Sequence, residues 1–164
     1  MKKTLFLTTA LVLIGGFSAG SYAGEKSGKE ETMKIIEYNE ADFNDGPADY
    51  FTGNVKVGSH FASGDFDKYK GAIVNFEAGA RTNWHTHPEG QTIVITSGEG
   101  RVQIEGGPIQ TVKQGDIVWF PQGERHWHGA APDKAMSHIA IQSSDENGEV
   151  VDWMEPVTDE QYQD

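Results

Sequence analysis

Six histidines punctuate the chain: His60, His85, His87, His126, His128 and His138. Two pairs are spaced by a single residue, His85 with His87 and His126 with His128. In a β-strand, residues two apart leave the same face, so His85 and His87 can bring two imidazoles to one point, and His128 can share a face with His126. Imidazole nitrogens suit divalent first-row cations. A cation held that way acts as a Lewis acid, and a spare histidine with an ordinary pKa of about 6.5 can move protons beside it. The chain has no cysteine, which excludes thiolate ligands, disulfides and a cysteine nucleophile.

Positioning such groups requires strands, and the sequence supplies them. From Met33 onward it consists of short runs rich in Val, Ile, Phe and Thr, separated by glycine. The expected strands are 51–57, 71–76, 83–87, 91–97, 101–105, 109–113, 116–120, 126–129 and 136–143. Turn chemistry separates them, as in Ser97-Gly98-Glu99-Gly100 and Lys113-Gln114-Gly115-Asp116. Close, even spacing with no long helical pattern predicts an all-β barrel or sandwich. Thr158 followed three residues later by Gln161 is the pattern of a capping box and predicts a short helix in the tail. Trp153 and Met154 are expected to dock that tail on the barrel or on a neighbouring subunit. Trp84 and Trp127 alternate with the histidines and should face away from them, into packing, as should Trp119. His60, in a stretch read as a loop, is expected at the surface.

The 164 residues carry 13 Lys and Arg against 25 Asp and Glu, a formal charge of −12. That field repels a phosphate backbone, so no nucleic-acid partner is expected. Residues 1–23 have a basic start at Lys2 and Lys3, an apolar stretch, and small residues at Ser21 and Ala23. This is the layout of a secretory signal peptide. Its apolar run falls short of the roughly 20 residues that span a bilayer. Export, to a periplasm, is therefore expected, with no stable membrane anchor after cleavage. Residues 24–32 read as a flexible leader, and residues 33–164 as one domain with a C-terminal tail.

Two long segments sharpen the histidine pattern. Gly79, five residues, His85-Thr86-His87, three residues, Gln91, six residues and Gly98 resemble the first cupin motif. Gly115, five residues, Pro121-Gln122-Gly123, two residues and His126 resemble the second. The resemblance implies a double-stranded β-helix, a jelly-roll-like cupin barrel, enclosing one divalent metal. By position its ligands would be His85, His87, Gln91 and His126. The usual glutamate is replaced by Gln91, and the asparagine that normally ends the second motif by Ala130. Three imidazoles and an amide leave the cation's charge uncompensated. Such a site should be more Lewis acidic, and hold its metal less tightly, than one containing a carboxylate.

Three histidines and a glutamine at this spacing also resemble the small manganese-dependent bacterial hydroxynitrile lyases. Residues 46–53, 82–88, 124–130, 135–142 and 151–162 are similar to theirs. The resemblance implies a carbon–carbon lyase that cleaves or forms cyanohydrins, with a carbonyl compound or cyanohydrin as substrate. His128 shares a strand face with His126, and His138 lies on one face of its own strand. His128 is the leading acid/base candidate and His138 its partner. Ala72, Val74 and Phe76 share a strand face, and the small Ala72 and Val74 leave room for an aromatic substituent. Gln142 is the polar contact expected in that pocket. Manganese is the expected metal; iron, cobalt, nickel and zinc also fit the donor set. A metal-dependent dioxygenase and a non-enzymatic periplasmic binder of metal or small ligands are the competing readings. Open strand edges need covering, so a homodimer or homotetramer is expected.

Overall fold

The computed structural model describes residues 33–62 and 69–163; the expected signal peptide and leader lie outside the described residues. A 3-10 helix, Glu40–Asp42, precedes twelve strands: β1 Asn44–Asp45, β2 Phe51–Thr52, β3 Val55–Ala62, β4 Tyr69–Phe76, β5 Arg81–Thr82, β6 His85–Thr86, β7 Gln91–Ile104, β8 Gln110–Lys113, β9 Ile117–Phe120, β10 His126–Ala130, β11 Met136–Ser143 and β12 Asp152–Trp153. The helix α1, Asp159–Gln163, ends them. The main path of the sheet runs β1-β3-β4-β11-β7-β10-β5-β2. Every pairing is antiparallel, and the sheet curls on itself as the barrel expected from the two motifs.

The strand β7 builds this curl. The residues from Ser97 to Gly100, expected as a turn, do not reverse the chain. They lie inside one strand of 14 residues. Its first half pairs with β11 and β9, and its second half with β8 and β10. The register against β11 shifts between Ser137 and His138, which face Ser97 and Ile95, so that Thr96 is the extra residue of a bulge. Gly98 sits at φ +75°, and a Cβ there would run into the Ala135 carbonyl. Glycine at this position, two residues beyond the bulge, lets the strand pass close to that carbonyl as it bends from one wall to the other. The bulge also switches the inward set from the odd residues Gln91, Ile93 and Ile95 to the even residues Val102 and Ile104.

Two smaller departures follow from local bonding. The expected strand 83–87 is interrupted because Asn83 and Trp84 bond outside it: Asn83 N–H donates to Tyr50, and Trp84 N–H to Glu155. His60 lies within β3 rather than in a loop, and it is exposed.

The barrel core packs Val55, Val74, Phe76, Ile93, Ile95, Val102, Phe120, Met136 and Ala140. A second cluster, Trp84, Trp127, Val157 and Tyr162, lies under the tail. Trp84 and Trp127 thus pack away from the histidines as expected. Trp119 is a correction: 58% of it is exposed. The tail helix carries the predicted capping box. Thr158 N–H donates to Gln161 Oε1 (2.9 Å), and Gln161 N–H donates to Thr158 Oγ1 (3.2 Å). Arg81 donates through Nε and Nη2 to the Val157 carbonyl, fastening the tail to β5.

Candidate metal centre

Strand pairing brings the histidines together. β10 pairs with β6 so that His126 stands directly opposite His85, and residues directly opposite share a face. Their ring centroids are 4.3 Å apart. His87, just past β6, lies 5.2 Å from His85 and 5.6 Å from His126, centroid to centroid. Gln91 opens β7 and stands opposite Gln142 of β11. His85, His87, Gln91 and His126 are all buried.

The hydrogen bonds of the three rings follow one pattern. His85 Nδ1 bonds the Asn83 carbonyl (3.0 Å), and His126 Nδ1 the Glu124 carbonyl (2.8 Å). His87 Nδ1 bonds the Val150 carbonyl. A carbonyl only accepts, so each Nδ1 carries the proton and each Nε2 keeps its lone pair. This is the anchoring that ligating imidazoles receive in metal sites. His87 Nε2 is buried with no partner. Gln91 Nε2 donates to Gln142 Oε1 (3.3 Å), which turns its own Oε1 toward His126 Nε2 at 3.2 Å. Two acceptors facing each other in a buried site suit a shared cation, so the donors present fit a divalent metal.

His128 and His138 form a separate pair. His138 Nε2 lies 3.2 Å from His128 Nδ1, so one of the two nitrogens donates to the other. His128 Nε2 and His138 Nδ1 are buried without partners. Yet His128 is not remote from the first group: the ligand atoms of His85, His126 and His128 lie within 4.8 Å of one another. By ring centroids His128, read from sequence as an acid/base, is 5.2 Å from His85 and 6.2 Å from His126, so it borders the ligand candidates.

Burial pushes all five histidines down from the ordinary imidazole range. His126 and His138 fall to about 3, chiefly through desolvation. His85 falls well below 6.5 through desolvation, then through His126 and His87. His128 falls likewise through desolvation, then through His138. The rings are neutral at pH 7, the state that ligates metals.

Ala72 and Val74 lie on β4 and Gln142 on β11, neighbouring strands of the wall. Val74 stands opposite His138, and Ala72 opposite Ala140. The Phe76 ring is 5.4 Å from His138 and 6.0 Å from His128. Gln142 reaches the ligand candidate Gln91 rather than open space. Some contacts had no sequence signal. The Phe120 ring stacks on His126 at 3.9 Å, Trp153 covers His85 at 4.8 Å, and Val150 holds His87 through its main chain. A depression of about 170 Å³ lined by Trp84, Gln103, Glu105, Gly106 and Gln161 contains no histidine.

Comparison with known proteins places this geometry. A family model described as a cupin domain matches residues 72–142. An (R)-mandelonitrile lyase of Granulicella tundricola is 56% identical over 117 residues, which cover 71% of this chain and 88% of that one. A cupin-like protein of Thermotoga maritima is 38% identical, with a TM-score of 0.68 over 80% of this chain and 96% of that one. An acetylacetone dioxygenase of Acinetobacter johnsonii is 17% identical, with a TM-score of 0.57 over 83% of this chain and 92% of that one. That last likeness is one of fold alone.

Proposed function

The chain belongs to the cupin family and, within it, to the bacterial hydroxynitrile lyases, and from that premise we propose that it cleaves and forms cyanohydrins at the histidine site. The observation that carries this reading is the set of neutral donors beside a hydrogen-bonded imidazole pair whose outer nitrogens, His128 Nε2 and His138 Nδ1, are buried without partners. Nε2 of His85, His87 and His126 and Oε1 of Gln91 are the atoms that would hold a divalent metal, manganese in this proposal. A cation bound there acidifies a cyanohydrin hydroxyl and polarises a carbonyl oxygen in the reverse reaction.

The chain's own residues supply the proton path. His128 donates Nδ1–H to His138 Nε2, which leaves the lone pair of His128 Nε2 free. That nitrogen takes the hydroxyl proton as the C–CN bond breaks and returns it to the departing cyanide. His138 fixes the His128 tautomer and stabilises the charge while the proton is held. Ala72 and Val74 leave space for the substituent of the carbonyl carbon, and the Phe76 ring excludes water behind the pair. Gln142 holds the Gln91 amide with its oxygen inward.

The dioxygenase and binding-protein readings are not favoured: the lyase relative shares 56% of aligned residues, against 17% for the dioxygenase. The protein is proposed to act after export and signal cleavage, as a homodimer or homotetramer. The test is to load the purified protein with manganese, add mandelonitrile without oxygen, and follow benzaldehyde. Anaerobic product supports the lyase. No turnover, or turnover only with oxygen and a diketone, removes it.

A further inference from the structure

The inner rows of β4 and β11 lose burial toward one end of the barrel. On β4, Phe76 is 2% exposed and Val74 7%, while Ala72 and Lys70 are half-buried. On β11, Met136, His138 and Ala140 are buried, and Gln142 is half-buried. The register joins the two rows rung by rung: Phe76 with Met136, Val74 with His138, Ala72 with Ala140, and Lys70 with Gln142. Residues directly opposite share a face. Lys70 therefore belongs to the inner row and stands at the open end. Gln142 in turn stands opposite the ligand candidate Gln91, so the lysine shares a rung with the histidine site.

Lysine is unexpected in that place. It is usually exposed, and is taken inside mostly with a partner. Among the described residues Lys70 makes no ion pair, although the chain has 25 Asp and Glu. Asp145, just past β11, spends its carboxylate on the N–H groups of Asn147 and Glu149. The inner rows of β4, β11 and β7 hold no other Lys, Arg, Asp or Glu among the described residues. A molecule of formal charge −12 repels anions as a whole, and an unpaired ammonium at the mouth reverses that sign locally. A hydroxyl is also unspent at this level. Ser59 falls in the bulge of β3 opposite Ala72, at φ +48°, with its Oγ buried and without a partner.

We propose that Lys70 binds an anionic group on the substrate, so that the site takes an aldehyde, or its cyanohydrin, bearing a carboxylate at the far end of its substituent. The inference rests on the lyase reading and names its substrate class. Under that reading the substituent of the carbonyl carbon lies over Val74 and Ala72. Lys70 follows Ala72 by two residues on the same strand face, about 7 Å, and its flexible four-carbon stem spans most of that gap. A carboxylate held one benzene ring away from the carbonyl carbon comes within reach of the ammonium. Gln142 is already turned to Gln91, which leaves the lysine to meet the anion. Cyanide departs elsewhere, at His128, whose partner His138 stands two rungs deeper, opposite Val74. Lys70 thus selects the substituent and not the leaving group.

The test compares para-carboxymandelonitrile with mandelonitrile on the manganese-loaded protein at low salt. The carboxylated compound should have a kcat/KM at least tenfold higher, the scale of a hydrogen bond between charged groups. Lys70→Met should cut that ratio at least tenfold, and Lys70→Arg should retain most of it. Calorimetry without cyanide gives a second measurement. The native protein should bind para-formylbenzoate at least fivefold more tightly than benzaldehyde, and Lys70→Met should erase the difference. No preference in the native protein overturns the proposal. So does a ratio that Lys70→Met leaves unchanged, including the case where both rates fall together. Turnover of neither cyanohydrin removes the lyase reading instead, and the calorimetric comparison then decides whether Lys70 holds the anion.

Discussion

Gln91 Oε1 faces His126 Nε2 at 3.2 Å, and both atoms are acceptors: the ring proton is on Nδ1, held by Glu124, and the amide N–H is spent on Gln142. The contact is favourable only around a cation. Replacing the amide by a carboxylate keeps the oxygen in place and adds the missing charge. Gln91→Glu should bind manganese at least tenfold more tightly in chelator competition. Its kcat for cyanohydrin cleavage should fall about tenfold as Lewis acidity drops. Unchanged metal retention would remove the charge argument for this position.

His126 is the ring shared by most of these contacts, with His85, His87 and Gln91 all around it. His126→Ala should reduce bound manganese below a tenth of the native content by elemental analysis and abolish turnover. A fully active, metal-loaded variant would refute the site.

The two placements of His128 separate cleanly. If it moves the proton, His128→Ala keeps the metal and loses roughly 10²- to 10⁴-fold in kcat. Loss of metal together with activity would instead assign it to the group that lies within 4.8 Å, His85, His126 and His128.

Acid should destabilise the metal-free protein by linkage. His138 has its pKa lowered from 6.5 to about 3 by burial, and so has His126. The unfolded chain takes up these protons near pH 6.5 and the native one does not. Their contribution is therefore complete above pH 6.5 and declines as pH falls toward 3, by about 1.4 kcal/mol per pH unit for each ring. Urea unfolding of the metal-free protein between pH 7.5 and 5 should show it. His138→Gln should lower the slope by about one proton; an unchanged slope would contradict the assignment.

The capping box offers a stability test away from the chemistry. Thr158→Ala removes the acceptor for Gln161 N–H and should cost about 1 kcal/mol. Thermal unfolding measures it, and kcat should be unchanged.

Much of this was legible because it depends on short-range periodicity. Spacing of two residues put His85 with His87 and His126 with His128 on shared faces, and the offset from Thr158 to Gln161 marked the helix start. What was hidden depends on partners distant in sequence. Ser97-Gly98-Glu99-Gly100 has turn composition, but β11 on one side and β10 on the other hold it as a bent strand. Trp119 reads as packing by residue type, and only the sheet order reveals that it stays largely exposed among the described residues. The holder of His87 is a peptide oxygen 63 residues away, which no residue type signals.

The three ring protons are all held by peptide oxygens, those of Asn83, Glu124 and Val150. A survey that replaced every side chain in turn would leave each of these acceptors standing. The exposed Glu124 side chain can vary so long as the chain keeps its path, so ring orientation is inherited through backbone shape. Val150 makes this concrete: a shortened or spliced carboxyl end would disable His87 without touching a ligand.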